Sequence, residues 1–176
     1  MNTQTSEALN FIFGRRSIRA FTADPVSDET VRTLLDAAMA APSAAARDPW
    51  RFVVVRERTT LAKIADVLPN GHFIAGAALG LVVCGDLTAA HDQQLSYLLQ
   101  DCSAAIENLL LATHVLGLGG CWLGIHPREE RMRKLSDLLA LPRSIIPVGG
   151  LAIGWPAERQ PPRTRFNPEF VHYEKW

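Results

Sequence analysis

A single domain of mixed helices and strands is the fold class that this 176-residue sequence predicts, and three observations predict it. Hydrophobic residues make up 48% of the chain. A domain of this length buries roughly 70% of its unfolded surface, so one core suffices without a disulfide or metal staple. Segments with helical spacing alternate with short apolar runs bounded by turn residues. No repeat and no linker interrupts them.

The elements follow in order. SDETVRTLLDAAMAA reads as a helix: Ser27 is a good N-cap, and Asp28 and Glu29 place negative charge at the positive end of the dipole. Val31, Leu34, Leu35, Ala38 and Met39 recur at helical spacing, and Pro42 stops the helix. RFVVV (51–55) is a strand, TTLAKIADVL a short helix ended by the turn signal PNG (69–71), and LGLVVCG a buried strand. The longest periodic element runs from about Gln93 to Leu116, with Gly117 as its stop. Its first half carries the stripe Leu95, Leu98, Leu99, Cys102, and its second half is apolar nearly all round. A helix with no wet face is covered on every side, either by a partner subunit or by the core of a monomer. GCWLGI is a strand or its edge, PREERMRKLSDLLAL a charged amphipathic helix, and IPVGGLAIG a strand. After GWP the chain turns rich in proline and arginine, yet keeps Phe166, Phe170, Val171, Tyr173 and Trp176. A tail with that much aromatic surface packs on something.

Charge narrows the function classes. Eighteen basic residues balance eighteen acidic ones, whereas nucleic-acid and membrane-surface binders rely on a basic excess. The three cysteines are odd in number, widely spaced and set among apolar neighbours, which suits buried reduced thiols better than disulfides or zinc ligands. The N-terminal stretch lacks a basic start and a continuous apolar region, and the longest apolar run, from Phe73, is too short to span a bilayer. A soluble cytoplasmic protein is expected.

Most familiar catalytic constellations are missing: there is no GxxxxGK[ST], no HExxH and no GxSxG. GLGGCWLG (117–124) invites a dinucleotide reading, but Trp122 falls where a third glycine belongs, and the motif follows a long helix instead of a strand. The five histidines are scattered, and His114 reads as a core or interface residue. What remains is anion binding beside glycine-lined backbone. In RRSIRAF, extended chain would turn Arg15, Ser17 and Arg19 to one face and Arg16, Ile18 and Ala20 to the other. Two guanidiniums flanking a hydroxyl suit an anion, and suit a solvated basic turn equally. Arg163-Thr164-Arg165, with Arg159 upstream, forms a second alternating pair. Should the clusters converge, three or four guanidiniums meet a dianionic phosphate, with charge-assisted bonds of roughly 1.5–3 kcal/mol each.

Four motifs in this order, RRSIRAF, APSAAARDPWRFVVV, GLGGCWLG and RTRFNPEFVHYEKW, make the chain resemble the FMN-dependent nitroreductase superfamily from about Gly14 to Trp176. The resemblance implies an α+β fold with a central mixed or antiparallel sheet flanked by helices. It also implies a homodimer with the long helix in the interface, a C-terminal tail crossing to the partner, and two FMN molecules between the subunits. By resemblance, Arg15, Arg16 and Ser17 contact the FMN phosphate and ribityl chain, Arg163 and Arg165 close on the phosphate, and Arg19 lies near the pyrimidine edge. Pro42, Ser43 and Ala44 approach from the other subunit. The backbone N–H groups of Leu123 and Gly124 face flavin N5 and O4, and Asn70 and His72 supply polar contacts. The implied activity needs no side-chain nucleophile: NADH or NADPH gives hydride to flavin N5, then leaves, and a nitroaromatic, quinone or similar small acceptor takes the electrons. The alternatives are other flavin chemistry on the same fold (dehalogenation, flavin destruction, azoline oxidation) and a non-enzymatic flavin carrier or sensor.

Two departures stand out. The family's PSxxNxQPW appears as PSAAARDPW, with Ala46 for asparagine and Asp48 for glutamine. A carboxylate at Asp48 needs a partner, for which Arg47 or Arg51 is at hand. The segment DLTAAHDQQ leaves no room for extra capping helices, so an open, permissive site is expected.

Overall fold

A computed structural model describes residues 8–176. Residues 1–7, which open the stretch read as lacking a secretory signal, lie outside the described residues. A short helix α1 (Asn10–Gly14) leads into an extended segment, followed by α2 (Asp28–Met39), β1 (Trp50–Val55), α3 (Arg58–Val67) and β2 (Leu79–Asp86). The 21-residue α4 (Leu95–Val115), β3 (Gly119–Gly124), α5 (Glu129–Leu138) and β4 (Ile145–Gly154) complete the regular elements. The Ser27 side chain caps α2 as expected, accepting the Thr30 N–H at 3.1 Å.

The four strands form one sheet in the order β1-β2-β4-β3, and every pairing between them is antiparallel. Of the two sheet types expected, the antiparallel one is found. Register places Phe52 opposite Val83, Leu81 opposite Leu151, and Cys121 opposite Ala152. The inner strands read as continuous apolar runs because both faces are covered. Alternation along β2 divides the core: Leu81 and Val83 pack with Leu109 and Ile106 of α4 and Leu34 of α2, while Val82 and Cys84 pack with Leu61 and Ile64 of α3 and Leu135 of α5.

Helix α4 buries Leu98, Cys102, Ala105, Ile106 and Leu109 against this sheet. It ends in a Schellman motif: Gly117 takes φ 76°, Leu118 N–H donates to Thr113 O at 2.9 Å, and Gly117 N–H donates to His114 O at 3.0 Å. Within the chain the helix is not covered all round. Leu111 and Ala112 stay half-buried, and Val115 and Leu116 are exposed. The aromatic tail likewise lies open, with Phe166 and Phe170 at 79% exposure and Trp176 at 100%. Among the described residues no helix is long and apolar enough to cross a membrane.

Candidate functional site: an arginine-lined cleft at the open edge of the sheet

Strand β3 is the last in the sheet, so its outer edge is free to pair with other chain. The segment after α1 takes the first part of that edge: Ser17 bridges Gly120 in parallel, and the Ile18 N–H donates to Gly120 O at 3.0 Å. Ile18 is buried and would clash with any Cβ added at Gly119, which fixes the strand closely against β3. The chain leaving β4 then doubles back along residues 13–22. Thr22 N–H donates to Trp155 O at 2.9 Å, Ala157 N–H to Ala20 O at 2.9 Å, and Arg163 N–H to Phe13 O at 3.2 Å. Arg16 adds a side-chain bond to the Pro161 carbonyl.

This return path brings the two basic clusters together. Arg15, Arg16, Arg163 and Arg165 line one cleft of about 190 Å3. Strict alternation would separate Arg15 from Arg16, but Arg15 sits at the exit of α1 with φ −62° and ψ 124°, short of full extension, and both line the cleft. The cluster carries little internal compensation. Glu107 lies 3.7 Å from Arg15 and is half-exposed; among the described residues no carboxylate lies within 4.0 Å of Arg16, Arg163 or Arg165. Four like charges in one cleft repel, and a dianionic phosphate relieves that repulsion.

A second cleft of about 210 Å3 opens beside the far end of β3, lined by Arg19, Asn70, Phe73, Leu123, Gly124 and Arg131 among others. Gly124 faces open space, since nothing would lie within 4 Å of a Cβ there, so a planar group can reach this backbone closely. The Arg19 guanidinium stands 5.8 Å from the centroid of the Phe73 ring. The Cys121 thiol beside it is buried, and burial raises its pKa; burial pushes Cys84 and Cys102 up to about 12. All three are free, inert thiols.

Eight of the anticipated residues thus gather at two clefts joined by the Arg15–Arg19 segment, with Ser17 held between them against Gly120. His72 is not brought in; it is exposed, with its ring edge-on to Phe73 at 6.2 Å. Pro42, Ser43 and Ala44 line neither cleft. They lie on the loop between α2 and β1, where the Ala44 N–H donates to the buried Asp101 of α4 at 2.9 Å. Asp48 is satisfied by a hydroxyl instead of an arginine: Ser43 Oγ donates to its carboxylate at 2.5 Å, while Arg51 bonds the Asp48 and Trp50 carbonyls and Asp86. Sequence reasoning missed Arg131, hidden in a helix that reads as merely charged, and Glu158. Glu158 accepts the Arg19 and Ala20 N–H groups at 2.6 and 3.1 Å.

The chain is thus an α+β protein: an antiparallel four-stranded sheet with helices packed on both faces and an arginine-lined cleft beside its edge strand. The chain belongs to the nitroreductase family, whose family model matches residues 12–86 and 66–155. It is 42% identical, over 97% of its length and 99% of the relative's, to an Archaeoglobus fulgidus protein provisionally named NADH dehydrogenase/NAD(P)H nitroreductase. A solved structure from Bacteroides thetaiotaomicron under the same provisional name is 35% identical, with a TM-score of 0.91 over 97% of this chain and 98% of that one. A provisionally named nitroreductase from a Desulfovibrio desulfuricans subspecies, solved in complex with FMN, is 34% identical, with a TM-score of 0.83 over 96% of each chain.

Proposed function

We propose that this protein is an FMN-dependent oxidoreductase that draws hydride from NADH or NADPH and delivers electrons to a nitroaromatic, quinone or similar small acceptor. The observation that carries the reading is the convergence of Arg15, Arg16, Arg163 and Arg165 on one cleft. Their forked donors match phosphate oxygens, and each charge-assisted bond contributes on the order of 1.5–3 kcal/mol. The chain's residues fit FMN in charge and in shape: a cationic cleft for the phosphate, and an open glycine edge for the ring.

In this reading the four arginines hold the phosphate, with Ser17 beside the ribityl chain. Asn70 and the Leu123–Gly124 backbone orient the ring, and Arg19 supplies positive charge at its pyrimidine edge. His72 is a peripheral polar contact. FMN, when bound, supplies the hydride-accepting and electron-donating chemistry. Leu68 and Phe73 keep part of the cleft wall apolar, which strengthens the field of Arg19. Donor and acceptor take turns at the site, a ping-pong order.

The working unit is a homodimer. Two features support that: the exposed apolar end of α4 and the exposed aromatic tail, which a second copy would cover. The loop carrying Pro42, Ser43 and Ala44, which reaches neither cleft of its own chain, then meets the partner's cofactor. The test is a visible spectrum after adding FMN and desalting, followed by NADPH and NADH without oxygen. Flavin bands that co-elute and then bleach are expected. Bands that co-elute and resist both reductants would favour a carrier, and no retained flavin would overturn the reading.

A further inference from the structure

We propose that Arg131 is a second cation of the cofactor cleft, and that its charge makes the reduction of bound FMN more favourable; the proposal rests on the flavin reading above. Arg131 is the third residue of α5, and its Nη1 donates to the Gly124 carbonyl at 2.8 Å. That bond uses one of five N–H donors and pins the guanidinium at the end of β3. The side chain is half-buried and lines the same cleft as Arg19 and Asn70.

Its charge is not spent elsewhere. The ion pairs on α5 join Arg133 to Asp137 and Lys134 to Glu130, and among the described residues no carboxylate lies within 4.0 Å of Arg131. No acidic residue lines the cleft. Arg131 also borders the neighbouring outer groove with Asp66, Glu129 and Glu130, but none of these carboxylates pairs with it, and Glu130 is taken by Lys134. The open space over Gly124 allows a flat ring to approach the backbone that Arg131 clamps.

Hydride from NADH or NADPH delivers two electrons and one proton, so a neutral ring becomes anionic on reduction. A fixed cation in a partly apolar cleft binds the reduced ring more tightly than the oxidised one. The consequence is a raised midpoint potential, by about 30 mV for each tenfold preference in a two-electron couple. A purely structural role, clamping Gly124, makes no such distinction between redox states.

The test compares the wild type with Arg131→Gln, which keeps a hydrogen-bond donor, and Arg131→Lys, which keeps the charge. The midpoint potential of bound FMN is titrated against a reference dye, and oxidised FMN affinity is measured separately. Arg131→Gln is expected to lose about tenfold in reduced-over-oxidised affinity, about 30 mV, while Arg131→Lys stays within about 10 mV of wild type. Unchanged potentials in both variants, equal shifts in both, or equal weakening of oxidised and reduced binding would overturn the proposal. A wild-type chain that retains no FMN would overturn the flavin reading itself.

Discussion

Glu158 and Arg19 are joined through the backbone: a carboxylate oxygen of Glu158 accepts the Arg19 N–H at 2.6 Å and the adjoining Ala20 N–H at 3.1 Å. One side chain thereby sets the spacing between the N-terminal strand and the returning C-terminal chain. Arg19 and Arg16 both depend on that spacing. The Arg19 N–H is also the main reason the Glu158 carboxyl sits below the usual carboxylate range.

A folded-state pKa below the unfolded one contributes stability that is full above the unfolded value and is lost as pH falls through the folded value. Urea midpoints at pH 7 and pH 3 should therefore fall further for wild type than for Glu158→Gln. Glu158→Ala should cost about 1–2 kcal/mol at neutral pH, near the lower end for charged hydrogen bonds because the group is partly solvated. Equal acid sensitivity in both proteins would count against the link.

Removing both C-terminal arginines should weaken the cofactor without disturbing the fold. Arg163 and Arg165 are exposed, so the melting temperature of the double alanine variant should match wild type. FMN affinity should fall by about 10- to 100-fold per arginine, following the charged-bond range. Fluorescence titration at two salt concentrations measures this. Unchanged affinity would move the phosphate away from this cleft.

Gly124 and Gly85 should respond in opposite ways to side chains. Gly124→Val meets open space and should leave stability within about 1 kcal/mol while blocking the ring, with at least a tenfold loss in FMN affinity. At Gly85 a Cβ would come within 2.3 Å of Leu98, so Gly85→Ala should cost about 1–3 kcal/mol through overpacking. Paired denaturation and binding curves separate the two effects.

Strain is stored at alanines in left-handed backbone. Ala140 follows α5 at φ 51°, and Leu141 N–H donates to Ser136 O at 2.9 Å, the position a glycine prefers in a Schellman motif. Ala140→Gly should stabilise by about 1 kcal/mol, a rise on the order of 2–4 °C in Tm. Ala46 takes φ 50°, where asparagine is better tolerated. Ala46→Asn should stabilise by roughly 0.5 kcal/mol in a denaturant titration.

Local chemistry was legible in the residues. Ser27 capping, the Gly117 stop and the extent of α4 follow from neighbours three or four positions away, and each expected element appears within a few residues of its place, whereas the short α1 was not anticipated. Long-range pairing was not. No local pattern announces that β4 inserts between β2 and β3, and nothing in AERQPP reveals that Glu158 reaches Arg19. The arginines were visible as clusters, and their meeting depended on that hidden return path. The partner of Asp48 was hidden because Ser43, five residues away, bonds it across a loop of left-handed backbone, where Arg47 or Arg51 had seemed at hand. Arg131 escaped because helix periodicity says nothing about which strand end a basic side chain will meet.

The doubling back of the chain along its own beginning has a consequence for how the protein matures. Arg16 and its Pro161 partner stand 145 positions apart, and Arg163 and Arg165 follow every strand of the sheet in order of synthesis. The sheet can collapse while the four-arginine cleft is still missing two of its cations. In the flavin reading cofactor capture then follows core formation, and a chain ended at Pro162 would hold every strand of the sheet while lacking Arg163 and Arg165.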